Sequence, residues 1–171
     1  MLKIKVFFRF LLAFALAAAC LGQEAVPSKF YKLDFVVKEV EGSKVLNARS
    51  YSVTVSLDRS CSIRTGGQVA TPIASMGTIP QFNYREVGVN IDCHHVREAA
   101  NGLSLDVNAD ITSVLQEPTT PPTIPPPPVI RHNQWSSTVI VPLKKPTVIF
   151  SSDDLTTKHQ MQLELMATPI I

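Results

Sequence analysis

The stretch LSLDVNADITSV, residues 103–114, alternates apolar and polar side chains from Leu103 to Thr112. The apolar set is Leu103, Leu105, Val107, Ala109 and Ile111, and the polar set is Ser104, Asp106, Asn108, Asp110 and Thr112. Successive side chains of a strand point to opposite faces, so this pattern predicts a β-strand with one buried and one solvated face. Other runs in the chain repeat the pattern.

Similar alternation occurs on both sides of this strand. Residues 33–37 and 51–57, joined by a turn at VEGSK, predict an antiparallel hairpin. A further run of alternating residues at 60–69 is interrupted by Gly66-Gly67, and a loop follows to about Gln81. Further strands are predicted at 82–93 and 159–167, and residues 129–154 predict a hairpin that turns on Lys144-Lys145-Pro146. Seven or eight short strands with polar turns predict an all-β protein, an antiparallel β-sandwich.

The first segment is typical of a secretory signal peptide. Lys3, Lys5 and Arg9 precede the apolar run FLLAFALAAA, which is too short for a comfortable transmembrane helix. Cleavage after Gly22 gives a signal peptide of residues 1–22 and a flexible leader of residues 23–29. Cleavage before Cys20 would instead suit a lipoprotein acylated on that cysteine. Both readings predict an exported protein.

The remaining composition excludes one class of partner. Loss of the three basic residues of the signal leaves 13 of 16 Lys and Arg against 14 Asp and Glu, a formal charge of −1. No basic stripe is present, so nucleic acid binding is not expected. Seven of the 13 prolines lie between Pro118 and Pro128. Proline lacks the N–H that a central strand needs, so we expect a single β-sandwich domain at residues 30–171 with a proline-rich loop at 116–129.

Cys61 and Cys93 are the two cysteines beyond the signal segment. Both share a strand face with apolar residues. If the strands before and after Gly77 pair symmetrically about it, the two cysteines are directly opposite, close enough for a bond. Export exposes them to an oxidising compartment, so we predict a disulfide. Two buried free thiols on neighbouring strands are the alternative.

Residues with catalytic or metal-binding chemistry do not form a recognisable motif. His94 and His95 are adjacent, so their rings should point to opposite faces of a strand, and a shared metal would need a bend there. Asp153-Asp154 fits a turn, and Asp106 and Asp110 fit a solvated strand face. We therefore predict a protein that is not an enzyme, with no cofactor, no bound metal and no small-molecule ligand. An exported metal-binding protein or hydrolase remains a separate hypothesis.

Trp135 is the only tryptophan, and it shares a strand face with Ser137, Val139 and Val141. Packing against the core or at a sheet edge is the first interpretation. Exposed together with Arg131 and His132, it would instead form a partner surface.

The order of these strands resembles the C-terminal β-domain of the secretins, the outer-membrane rings of type II and type III secretion and pilus export. Five groups of residues carry the resemblance: Arg64-Thr65-Gly66, Val87-Gly88-Val89-Asn90-Ile91, residues 103–107, Ile111-Thr112-Ser113-Val114, and Arg131 with Ser137-Thr138-Val139-Ile140-Val141. The match covers about residues 63–169. Where secretins have a glycine-rich turn, this chain has Lys144-Lys145-Pro146 and Ser151-Ser152-Asp153-Asp154.

The resemblance implies a stand-alone secretin-like domain, without the N-terminal ring-building domains, that acts by contact in the cell envelope. Its partner would be an envelope protein or another copy of the chain, in the periplasm, at the outer-membrane periphery of a Gram-negative bacterium, or outside the cell. Membrane association would require lipidation or ring formation. The second hypothesis is a secretin fragment that forms channels by assembling into outer-membrane rings.

Overall fold

The computed structural model describes residues 29–73, 81–115, 129–154 and 157–170. The predicted signal peptide, most of the leader and residues 116–128 of the proline-rich loop lie outside these ranges. The described strands are β1 (Phe30–Glu41), β2 (Lys44–Ser56), β3 (Cys61–Ile73), β4 (Gln81–Ala99), β5 (Gly102–Leu115), β6 (Val129–Val141), β7 (Thr147–Asp153) and β8 (His159–Ile170). Val129, predicted to end the proline-rich loop, is the first residue of β6. No helix in the described ranges is long and apolar enough to cross a membrane.

The eight strands form two antiparallel sheets of four strands each. Their orders are β2-β1-β8-β7 and β3-β4-β5-β6. The inward side chains of both sheets share one apolar core, and the described chain buries no polar or charged residue. The fully buried residues include Leu33, Phe35, Ile91, Leu103, Leu105, Val107, Leu163 and Leu165. The predicted all-β sandwich is confirmed, and so is the alternation of residues 103–111, whose odd-numbered members are all buried.

The predicted hairpin between residues 129 and 154 is wrong. β6 pairs only with β5 in one sheet, whereas β7 pairs with β8 in the other. The turn at Lys144 therefore carries the chain from one sheet to the other. An isolated bridge joins Leu143 to Ala167, and the Lys144 N–H donates to the Ala167 carbonyl, which fixes the turn on the second sheet.

The predicted interruption at Gly66-Gly67 is also wrong. β3 continues through both glycines to Ile73 in an unbroken register with β4. A Cβ on Gly66 would lie 2.3 Å from the Val87 carbonyl oxygen, and one on Gly88 would lie 2.1 Å from that of Thr65. The glycines thus allow two backbones to approach closely where a turn was expected.

The two ends of the sandwich differ. At the closed end, where β1 begins and β6 ends, backbone bonds cross between the elements: Leu57 N–H donates to Lys29 O, and Asp58 N–H donates to Val96 O. At the open end, where β1 ends and β6 begins, the inner faces separate. There the first seven residues of β2 are all exposed, and an open cleft of about 590 Å³ lies between the sheets.

Candidate interaction site

The three residues predicted as a partner surface lie on β6 but do not share a face. Arg131 and Trp135 are directed to the inner side of the sheet and are half-buried. His132 lies on the outer side, where its Nε2 is 3.1 Å from Asp110 Oδ1. The structure therefore places two of the three side chains on one face of β6, where each contacts the other sheet or the residue after it.

Arg131 ties the two sheets together at the open end. Its Nη1 donates to Glu39 Oε1 of β1 at 3.2 Å, and its Nη2 pairs with Asp154, which follows β7. His159 Nδ1 lies 3.0 Å from the same Glu39 oxygen. Only 15% of the Arg131 side chain is exposed, so this cluster is a contact between the sheets.

Trp135 closes the side of the sandwich between the edge strands β6 and β7. Its ring stacks on Phe150 of β7, with centroids 5.7 Å apart and planes 2° from parallel. Both rings pack against the buried core. Trp135 thus makes the packing contact that was the first interpretation of its place in the pattern.

The backbone edge of β6 is what this strand offers to a partner. Four strands are sheet edges: β2, β7, β3 and β6. β7 has seven residues, β3 contains Pro72 and Arg64, and β2 contains Lys44 and Arg49. Such short strands, prolines and charges protect an edge against pairing. β6 has 13 residues with neither proline nor lysine, and its one charged side chain, Arg131, is turned inward and paired.

β3 and β4 project beyond their own sheet at the open end. β4 pairs with β5 only from Gly88 onward, so its first seven residues pair with β3 alone. Phe82 and Tyr84 on this ribbon are 48% and 62% exposed. β5 and β6 also remain paired with each other beyond this point, as far as Leu115 and Val129. The ribbon therefore exposes further unpaired strand edge beside the open cleft.

Cys61 and Cys93 form a disulfide between β3 and β4, with Cα atoms 5.0 Å apart. They are directly opposite in the register, as the symmetry about Gly77 predicts. Both are buried in the shared core. The bond holds the two strands at the closed end, opposite to the free ribbon.

His94 and His95 occupy a β-bulge, contrary to the prediction that their rings point to opposite faces. The register of β4 on β5 shifts between His94 and Arg97, and His95 has a φ of 51°. Cys93 and Val96 on either side are buried, whereas both histidines are exposed. A bulge inserts an extra residue into one strand, which is how two consecutive side chains reach one face.

Asp106 accepts hydrogen bonds at this bulge. Thr138 Oγ1 donates to its Oδ1 at 2.5 Å, and His95 Nδ1 lies 2.6 Å from its Oδ2. The Thr138 bond, followed by that of His95, holds the pKa of Asp106 below its usual value. Within the described ranges no three His, Cys, Asp or Glu side chains converge as metal ligands. The arrangement fits a hydrogen-bonded strand surface.

Sequence reasoning missed one polar contact at the closed end. Tyr31 OH donates to Glu98 Oε1 at 2.5 Å, and Lys29 Nζ pairs with the same carboxylate at 2.9 Å. Burial, and then the bond to Glu98, raises the pKa of Tyr31 to about 12. The pairing of Tyr31 with Glu98 depends on tertiary structure, and no local signal in either strand indicates it. Lys29, predicted as the last residue of the leader, takes part in this contact.

The sandwich has the fold of the secretin β-domain. The chain is similar to the secretin-domain β-barrel of InvG from the Salmonella SPI-1 injectisome, with 10% identity, 98% of this chain and 68% of that chain covered, and a TM-score of 0.56. It is also similar to the type II secretin GspD of enteropathogenic Escherichia coli, with 8% identity, 94% and 74% covered, and a TM-score of 0.57. A third similar structure is the type II secretin XcpQ of Pseudomonas aeruginosa, with 10% identity, 92% of this chain and 63% of that chain covered, and a TM-score of 0.56.

The sequence itself matches no protein-family model and no curated protein. At 8–10% identity, the likeness to these structures establishes the fold alone.

Proposed function

We propose that this protein is an exported, non-enzymatic structural component of the Gram-negative cell envelope, related to secretin-type export. It acts by pairing the free edge of β6 with a strand of another chain, either a second copy or an envelope partner. The observation that carries the proposal is the β6 edge, which is 13 residues long, has no proline or lysine, and has its one arginine, Arg131, paired with Glu39 and Asp154.

The side chains with catalytic potential support a non-enzymatic role. Asp106 is engaged by Thr138 and His95 on a strand surface, and Tyr31 is engaged by Glu98 at the closed end. Neither group lines the open cleft. Asp106 and Tyr31 therefore serve contacts between strands and sheets, outside the open cleft.

The test compares two serine-to-lysine variants on different edge strands. Ser137 on β6 and Ser151 on β7 are both exposed. Ser137 lies on the inner side of its strand, where a lysine obstructs an incoming strand. The exported chain is purified, and its mass in solution is measured by light scattering, with and without reductant. We expect an assembly larger than one chain that Ser137→Lys dissociates and Ser151→Lys leaves intact.

A photoreactive residue at Gln134, in cells, extends the test to partners other than a second copy. Gln134 is exposed on β6. A monomeric chain that also yields no crosslinked envelope protein at this position contradicts the proposal. A closed ring of many copies would favour the second function, a channel-forming secretin fragment, for which the strands projecting at the open end are the supporting observation.

A further inference from the structure

The closed end of the sandwich carries a surplus of positive charge. Its loops and strand ends are residues 57–60, 97–102 and 142–146, together with Lys29, Phe30 and Ile170. The basic side chains there are Lys29, Arg59, Arg97, Lys144 and Lys145, and the acidic ones are Asp58 and Glu98. Both acidic groups are already paired, Glu98 with Lys29 at 2.9 Å and Asp58 with Arg97 at 3.4 Å. Arg59, Lys144 and Lys145 are exposed and have no acidic partner in the described ranges.

Large apolar side chains are exposed at the same end. Phe30 is 47% exposed, Leu143 39% and Ile170 47%. Phe30 and Ile170 are directly opposite each other on β1 and β8, and Leu143 belongs to the turn that bears the two lysines. Apolar side chains beside free basic ones are the composition of surfaces that rest on a membrane interface.

The open end has no such surplus. The described residues there include five basic and five acidic ones: Lys44, Arg49, Arg85, Arg131, Lys158, and Glu39, Glu41, Glu86, Asp153, Asp154. Arg131 is paired with Glu39 and Asp154 between the sheets. The described residues therefore carry more positive charge at the closed end than at the open end, and an anionic surface would attract the closed end.

The path of the chain points to the same end. β1 begins at Phe30, so the described chain enters the sandwich at the closed end through Lys29. Cys20, the candidate for acylation, is nine residues upstream of Lys29. Nine extended residues reach at most about 30 Å. An acyl chain on Cys20 would hold the closed end near a membrane, and the free basic residues would then lie beside its headgroups.

We propose that the closed end docks on an anionic phospholipid surface. Lys144, Lys145 and Arg59 contact the headgroups, and Phe30, Leu143 and Ile170 enter the interface. The docking goes beyond the proposed function and does not depend on strand pairing by β6, because the two surfaces lie on different parts of the domain. It requires only export to a compartment that a membrane bounds.

The test measures flotation of the exported chain with vesicles. The chain is prepared from Gln23, which removes both the apolar signal segment and any acyl chain on Cys20, so that binding reports the folded domain. We expect binding to vesicles of phosphatidylethanolamine and phosphatidylglycerol that weakens as salt is raised, and little binding to phosphatidylcholine alone. The pair Lys144→Gln and Lys145→Gln should weaken binding roughly thirty-fold, about fivefold for each lysine.

The matched control is Lys44→Gln with Lys158→Gln. It removes the same charge from exposed positions at the open end and should leave flotation unchanged. Equal loss with both pairs, equal binding to phosphatidylcholine, or no binding to anionic vesicles overturns the proposal. Capture of an acidic envelope protein by Lys144 and Lys145 in the absence of lipid binding also overturns it. Ser137→Lys, which tests strand pairing, should float like the parent chain.

Discussion

At the scale of single residues, glycines determine how closely β3 and β4 approach. Gly66 and Gly88 are directly opposite in the register. Gly88 has a φ of 154°, which L-residues with a side chain rarely adopt. The neighbouring Gly67 has open space around the position of a Cβ. The two adjacent glycines of β3 thus have different structural roles.

Gly66→Ala should lower the free energy of unfolding by about 2 kcal/mol or more, because its Cβ would overlap the Val87 carbonyl oxygen and neither backbone can move freely. Gly67→Ala is the control and should raise stability by up to about 1 kcal/mol, since alanine restricts the unfolded chain. Urea denaturation monitored by Trp135 fluorescence measures both changes. Equal effects at the two positions would contradict the close approach of the strands.

Tyr31 should make the stability of the fold depend on alkaline pH. Its pKa is raised to about 12 from a usual 10.0, so the folded state holds the phenol proton more tightly than the unfolded state. This contribution to stability is fully present below about pH 10 and is lost as the pH rises toward about 12. Tyr31→Phe removes the titrating group, and its urea midpoint should fall less over that interval. Parallel pH profiles of the parent and the variant would show that the phenol is not held by burial and by Glu98.

At the scale of elements, the disulfide holds the β3–β4 pair at the closed end. Cys61 and Cys93 are 32 residues apart, and closing a loop of that length in the unfolded chain is worth about 3–4 kcal/mol. Replacing both cysteines by alanine should lower the free energy of unfolding by about that amount. Reductant should bring the parent chain close to the variant and leave the variant itself unchanged. If the urea midpoint of the parent chain is the same with and without reductant, the result contradicts this role.

Alternation in the sequence predicts which face of a strand is buried, but it does not predict the strand with which it pairs. The buried face of β5 and the register of Cys61 on Cys93 were predictable, because both follow from the two-residue period and a symmetric loop. The placement of β6 and β7 in different sheets was not predictable, because a turn at Lys144 is compatible with either a hairpin or a crossover between sheets. The bulge at His95 was missed because it needs a positive φ that no glycine indicates.

The candidate site was predicted only in part for a similar reason. The sequence pointed to the strand that contains Arg131, His132 and Trp135, and the structure makes this strand an edge. The partners of Arg131 are distant in sequence: Glu39 lies on β1 of the other sheet, and Asp154 directly follows β7 of that sheet. Side-chain partners of this kind follow from the packing of the two sheets, which a local pattern does not encode.

At the scale of the whole molecule, the secretin-like fold combines one firmly closed half with one open half. The closed half contains the fully buried residues, the disulfide and the backbone bond from Asp58 N–H to Val96 O between the two sheets. The open half contains strand edges that are paired on one side only, with exposed residues along the first part of β2 and along the β3–β4 ribbon. This division places the β3–β4 ribbon where the core contributes least to holding it, whereas the β6 edge runs through both halves.

Amide hydrogen exchange should reveal this division along a single strand. The part of β4 after Gly88 lies between β3 and β5 and bears Val89, Ile91 and Cys93 in the core, so its amides should open only with global unfolding. The part before Gly88 pairs with β3 alone and should exchange much faster, as should the exposed start of β2. β5 between Leu103 and Ile111 serves as the protected reference.

Uniform protection of β4 across Gly88 in the monomer would mean that the ribbon is held by contacts other than those of the sandwich. Protection of β6, gained only on association, would locate the added strand at the β6 edge.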